Sequence, residues 1–274
     1  MKRNESIDSI AGIMILYMVF THVCQHYHWE HTTIYIVMEH FLFFFMPWFF
    51  FKAGMFFKTG STNDVLIRST KRLLKPFVLY SLVGHLCYCF LIYMKGELVI
   101  SEFIPYKSLL LTGSVTGNLP LWFLLTLFGC RVMFNYILRK NVPAVVVAIV
   151  SLAVACLLHV IGFNYPYYIA NIMTGLFFMS LGYILARRNA FTPPILVLCI
   201  VIYVLSLFYP SFVGMRSNHL YYGFYLLWIC YSVCGIITMN FIGGYLLRKN
   251  RFTRTVGKYS MEIYCLHWIV LIFL

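Results

Sequence analysis

Charge is scarce in this chain, and negative charge scarcest of all: Asp and Glu together number 8 in 274 residues, and charged residues of both signs make up 11%. A soluble domain carries about a quarter charged residues, so an ordinary water-facing surface is excluded. Also missing is any CxxC pair among the nine cysteines at 24, 87, 89, 130, 156, 199, 230, 234 and 265, all in or beside apolar runs. They read as small buried hydrophobes rather than as disulfides or zinc ligands. No low-complexity tract, repeat or long polar linker interrupts the chain, which predicts one membrane domain over 1–274.

What fills the chain is apolar, 62% hydrophobic and 19% aromatic. The apolar runs have the length an α-helix needs to cross about 30 Å of hydrocarbon, and they lack the ten-residue alternation of outer-membrane barrels. The predicted fold class is all-α, a polytopic integral-membrane helical bundle of about nine spans. The spans are read at 8–27, 34–57, 74–94, 119–138, 143–161, 166–186, 193–210, 220–245 and 259 to the end. The last run reaches Leu274 without a flanking charge, which predicts continuation into a tenth helix. Glu5 and Asp8 precede the first run and no small-x-small site follows it, so no cleaved signal peptide is expected.

The net charge of +13 does not point to nucleic acid, because the basic residues are sorted by topology. Sixteen of them fall on alternate connections: Lys2, Arg3, Lys58, Arg68, Lys71, Arg72, Lys75, Arg139, Lys140, Arg187, Arg188, Arg248, Lys249, Arg251, Arg254 and Lys258. Three fall on the others: Lys95, Lys107 and Arg216. The positive-inside rule then puts the N-terminus in the cytoplasm, with the connections 58–73, 139–142, 187–192 and 246–258.

Ionisable groups inside a bilayer span are expensive, so each is a functional candidate with a partner to be sought. His22 lies 14 residues beyond Asp8, about 21 Å along the first helix and in the outer part of the membrane. Gln25 and His26 share its face. Glu39, on the returning span, falls at nearly the same depth, where a carboxylate can orient an imidazole and raise its basicity. The alternative is that both simply meet interfacial water. His22 and His26 also have the i, i+4 spacing of a metal or haem site, with His28, His31 and His40 nearby, but a short outer loop accounts for several of these and no metal is expected.

Lys52 lies close enough to the inner surface to snorkel. Arg131 sits eight residues inside Arg139, about 12 Å from the inner face, where a guanidinium needs a carboxylate, a carbonyl or an anionic ligand. Glu262 is a candidate ion-pair partner. The stretch "RSTKRLLKP" places Arg68, Lys71, Arg72 and Lys75 at helical spacing beside the membrane. Topology charge accounts for such a cluster, and so does a site for a phosphate-bearing cytoplasmic ligand. In "GKYSMEIYCLHW", Ser260, Tyr264 and His267 share one face of the last span.

Five stretches in order, "SIDSIAGIMILYMVFTH", "FFFMPWFFFKAGMFF", "KRLLKPF", "LPLWFLLTLF" and "GKYSMEIYCLHW", resemble the membrane-bound acyltransferase 3 family, the O-acetyltransferases of surface polysaccharides and related glycans. The resemblance implies about ten helices and an acyl group, acetyl above all, passed from acyl-CoA to a hydroxyl of a surface or exported glycan in the bacterial inner membrane. Acyl-CoA is then a co-substrate, with no tightly bound cofactor, and the partners are the glycan and the lipid bilayer. The family's essential histidine corresponds to His22, the general base. Glu39, Tyr264 and His267 complete the expected catalytic set, and Arg68, Lys71, Arg72 and Arg131 the CoA-binding set. Two positions depart from the family pattern. Ala11 stands where Arg or Lys is expected, and Lys52-Ala53-Gly54 where a small hydroxyl residue commonly precedes the glycine. The competing readings are a transporter of glycan, lipid or small molecule, and a catalytically inactive relative that binds acyl-CoA or glycan.

Overall fold

The computed structural model describes residues 4–96, 105–187, 192–247 and 250–274. Of the sorted basic residues, Lys2, Arg3, Arg188, Arg248 and Lys249 lie outside the described residues. The described chain is mostly helical. It runs α1 (Glu5–His26), α2 (Thr33–Leu42), α3 (Phe45–Met55), α4 (Thr62–Ser69), a π turn (Thr70–Leu74), α5 (Lys75–Met94), α6 (Tyr106–Thr112), a 3₁₀ turn (Leu119–Leu121), α7 (Trp122–Arg139), α8 (Ala144–Val160), α9 (Tyr167–Ala170) and α10 (Ile172–Leu185). It continues through α11 (Pro193–Phe208), β1 (Phe212–Gly214), β2 (His219–Tyr222), α12 (Tyr225–Thr238), a second π turn (Met239–Gly243), α13 (Gly244–Leu246), α14 (Arg251–Lys258) and α15 (Ser260–Leu271).

Six helical stretches among the described residues are long and apolar enough to cross a membrane: Glu5–His26, Thr33–Met55, Thr62–Met94, Leu119–Arg139, Tyr167–Leu185 and Tyr225–Leu246. Three expected spans are shorter apolar helices, α8, α11 and α15, of 17, 16 and 12 residues.

Local chemistry explains the breaks. The run expected at 34–57 divides into α2 and α3 beside Pro47, which has no N–H to return to the Phe43 carbonyl. Pro76 stands in the same relation to Arg72, and there the helix passes through the π turn that joins α4 to α5. Ser61 caps α4: its hydroxyl accepts from Asp64 N at 3.1 Å and donates to the Asp64 carboxylate at 2.6 Å.

The all-α expectation needs one correction. Phe212–Gly214 and His219–Tyr222 pair as a two-stranded hairpin, so the helix expected from 220 begins only at Tyr225. Tyr, Phe and Val favour the pleated strand, and hydropathy does not separate such a strand from a helix start. The Ser211 hydroxyl accepts from Phe224 N at 2.7 Å and so ties the residue before β1 to the residue before α12.

By packing, the chain divides into two compact units. Unit 1 comprises Met1–Phe49, Arg187–Val213 and Leu220–Tyr264. Its centre is α1, whose membrane-length window is 67% buried, so this helix is walled by protein. Gly12 lies against the Thr253 backbone and Gly257 against the Asp8 carbonyl, so close that a Cβ at either position would overlap backbone. Two glycines therefore set the approach of α1 and α14. Tyr203 donates to the Phe41 carbonyl at 2.6 Å, and Trp48 Nε1 to Asn240 Oδ1 in the second π turn at 2.9 Å.

Unit 2 comprises Phe50–Ala186, Gly214–His219 and Cys265–Leu274. The Thr62–Met94 stretch is only 22% buried over its apolar window, as expected of a helix facing lipid. Aromatic rings fill the interior, with Phe50 edge-on to Phe123 at 4.9 Å, and Phe134 packed on Phe57 and Tyr183 at 5.2 Å each.

Candidate functional site

In unit 1 the polar residues of α1 and α2 form a connected set. Glu39 is half-buried, and its carboxylate accepts from the Tyr222 hydroxyl at 3.1 Å. The Tyr35 hydroxyl, one turn before Glu39, also donates to that carboxylate and bonds the Gln25 side chain. Gln25 is thereby tied, through Tyr35 and Glu39, to the hairpin strand β2. Tyr17, buried and edge-on to Phe45 at 5.2 Å, lies within electrostatic range of Glu39. Burial first, then the neighbouring Glu39 carboxylate, hold the Tyr222 phenol above its ordinary range, so it stays a donor.

His22 is half-buried on α1, four residues before the last residue of the helix, His26. It shares unit 1 with Glu39, whose carboxylate accepts from the Tyr222 hydroxyl. His26 and His28 are exposed. Among the described residues no group of three or more His, Cys, Asp or Glu assembles with metal-site geometry. Ala11 is fully buried, next to the close approach at Gly12.

In unit 2 the basic residues converge on α7. Arg131 Nε donates to the buried Ser69 hydroxyl at 3.3 Å, and the guanidinium lies 5.4 Å from the centre of the Phe57 ring. Arg72 and Arg68 both act on it through space. Lys71 on the π turn is exposed, as are Arg68 and Arg72. No carboxylate lies against Arg131 among the described residues, and Glu262, the expected ion-pair partner, is exposed.

The loop beneath this cluster is fixed by α7. Asn135 clamps Gly60 from both sides, accepting from Gly60 N at 3.2 Å and donating to Gly60 O at 3.2 Å. Arg139 donates to the Thr62 hydroxyl at 2.8 Å. Arg68 in turn packs on Gly60, where a Cβ would stand 2.8 Å from Nη2. The exposed Arg68 and Arg72 bear unfavourably on the half-buried Arg131, and an anion placed among them would relieve that repulsion.

Tyr264 and His267 are both buried on α15, 6% and 7% exposed. The structure thus sets Arg68 and Arg72 within electrostatic range of Arg131, and Arg68, Lys71 and Arg72 are all exposed. It also adds residues that the sequence did not mark: Tyr35 and Tyr222 at Glu39, and Ser69, Gly60 and Asn135 at the arginines.

Set beside known families, the chain matches the family model of the acyltransferase 3 group, described as an acyltransferase domain, over residues 4–274. The chain belongs to the acyltransferase 3 family, and it is a membrane protein of that family. No curated protein and no solved structure matches it.

Proposed function

We propose that the protein is an acyl-CoA-dependent O-acyltransferase that moves an acyl group, acetyl in the simplest case, to a hydroxyl of a cell-surface or exported glycan. The observation that carries this reading is the grouping of Arg68, Arg72 and Arg131, which has no carboxylate against Arg131 among the described residues and suits the phosphates of CoA. Lys71, exposed as Arg68 and Arg72 are, adds to the attraction. The family membership supplies the acyl-transfer chemistry.

His22 serves as general base. It takes the proton of the acceptor hydroxyl as that oxygen attacks the thioester carbonyl, and the collapsing tetrahedral intermediate releases CoA thiolate, which recovers the proton from the imidazolium. Glu39, bound to Tyr222 and Tyr35, holds negative charge in the same unit as His22 and stabilises the imidazolium that forms. Tyr264 and His267 are the further candidates for the acceptor and oxyanion contacts. The sorted basic residues support a cytoplasmic N-terminus and a bundle of nine or more spans, α8, α11 and α15 being the short ones; the family supports a bacterial inner membrane.

The test is transfer of labelled acetyl from acetyl-CoA by the purified protein onto a panel of glycans. Label on a hydroxyl establishes the reaction. Binding of acetyl-CoA without transfer to any glycan would instead identify an inactive relative.

A further inference from the structure

The loop that joins α1 to α2 in unit 1 turns aromatic rings outward. Tyr27 is 40% and Trp29 50% exposed, and their rings stack with centroids 5.1 Å apart and planes 25° from parallel. The His26 ring meets Tyr27 edge-on at 5.1 Å. The backbone beneath the rings is fixed. Tyr27 N donates to the Val23 carbonyl at 3.1 Å and Trp29 N to the Cys24 carbonyl at 2.8 Å, while the Trp29 carbonyl accepts from Thr32 N at 3.0 Å and from the Thr32 hydroxyl at 2.8 Å. His28 turns the chain in the left-handed region, with φ 57°, between the two stacked residues. His28, Glu30 and His31 are exposed as well, and Glu30 acts through space on Tyr35, a donor to Glu39.

Rings held rigid and open bind without a further ordering cost. The face of an aromatic ring is negative, and the C–H bonds on the face of a sugar ring carry the complementary positive charge. The hydroxyls around a sugar seek carboxylate and imidazole partners. Tyr27 and Trp29 supply the faces, and Glu30 and His31 supply the polar rim. Tyrosine and tryptophan also serve as anchors at a membrane surface, but here they alternate with His28, Glu30 and His31, and a carboxylate is costly to bring against hydrocarbon. The loop is built for a wet, polar partner.

We infer that Tyr27 and Trp29 form the platform on which a sugar ring of the acceptor glycan stacks, an inference that rests on the proposed transfer to a glycan. The position agrees. Cys24, whose carbonyl holds Trp29 N, is two residues beyond His22 on α1, a rise of about 3 Å. The platform therefore begins one short step outward from the general base, and a sugar seated on it brings a hydroxyl of its own or of the adjoining residue toward His22. Glu30 sets the class of sugar: its charge repels a sugar acid and favours a neutral glycan.

The test is steady-state transfer of labelled acetyl from acetyl-CoA to glycans, neutral and acidic, by the full-length protein in detergent and in vesicles of phosphatidylethanolamine and phosphatidylglycerol. Trp29→Ala should raise KM for a neutral acceptor by about 10- to 100-fold, with kcat, the KM for acetyl-CoA and the thermal midpoint near native. Trp29→Tyr, which keeps a ring, should restore most of the loss, and Tyr27→Ala should shift KM the same way by less. The inference is overturned if Trp29→Ala keeps the native acceptor KM, or if the KM for acetyl-CoA and the midpoint worsen in step with it, which marks a structural role. It is overturned too if the defect appears in vesicles and not in detergent, which marks a membrane anchor, or if only acidic glycans accept label. In each of these cases the native protein still transfers acetyl, so the platform alone fails. If the native protein labels no glycan, the proposed function fails and the platform with it.

Discussion

Glu39 in unit 1 and Arg131 in unit 2 are both charged groups on apolar helices, and the protein treats them in opposite ways. The carboxylate is answered from within: phenols from β2 and from its own helix donate to it. The guanidinium is answered by one serine hydroxyl and an aromatic face, with two more arginines brought toward it. A buried ion with internal partners belongs to the architecture of a site, whereas ions of one sign collected together gain stability only when a ligand of the other sign arrives. The contrast sets a carboxylate with internal donors against a guanidinium with no carboxylate beside it among the described residues.

The largest expected effect falls in unit 1. His22→Ala should lower glycan acylation by about 10²–10⁴-fold while acetyl-CoA affinity stays near native, because a base acts on the transition state. His26→Ala and His28→Ala, both at exposed positions, should keep most activity. Full activity in His22→Ala would end the general-base assignment.

Next is the arginine cluster. Arg131→Ala should weaken acetyl-CoA binding by about 10- to 100-fold, the range of a lost charge-assisted contact. The pair Arg68→Gln with Arg72→Gln should weaken it and flatten its salt dependence. Glu39→Gln should leave acetyl-CoA affinity unchanged. If Arg131→Ala binds acetyl-CoA like the native chain, the contrast between the two units collapses, and the cluster serves topology alone.

The sequence showed the helices and the isolated polar positions well, because in a chain this apolar each interruption stands out. It did not show partners. Tyr222 is one of 21 tyrosines and lies 183 residues from Glu39. Ser69 and Arg131 are 62 residues apart, and Gly60 and Asn135 are 75 apart. Spacing along one helix reports which residues share a face and is silent about what another element brings to it. The hairpin escaped for a related reason: the aromatic and β-branched residues of "FVG" and "HLYY" run on into the apolar helix that follows, with Ser211 and Gly223 at the change. Ala11, the departure from the family motif, was visible at once, but not that it is wholly enclosed beside the α1–α14 approach.

That approach gives a prediction about stability alone. Gly257→Ala sets a methyl against the Asp8 carbonyl and should cost about 1–3 kcal/mol as overpacking. It would be read as a lower thermal midpoint with little change in acetyl-CoA affinity per folded molecule. An unchanged midpoint would mean that α14 yields freely. Ala11→Arg should be at least as damaging, for the added guanidinium enters a fully buried position.

The smallest expected effect is the one that defines how Glu39 works. Tyr222→Phe removes a single hydroxyl from a carboxylate that keeps its Tyr35 donor, so stability should fall by about 1 kcal/mol. The bond persists through the neutral range because the raised phenol stays protonated, and it should weaken only under strongly alkaline conditions, where the phenol ionises. Removing Tyr35 as well, as Tyr35→Phe, strips the carboxylate of both donors, and the double variant should lose more than the sum of the singles, since the charge is then left without a phenol. If Glu39 only braces the hairpin, acylation per folded molecule survives both changes and its pH profile does not move. If Glu39 stabilises the His22 imidazolium, losing the donors makes the carboxylate more basic, and the acidic limb of kcat/KM shifts upward in step with the number of phenols removed.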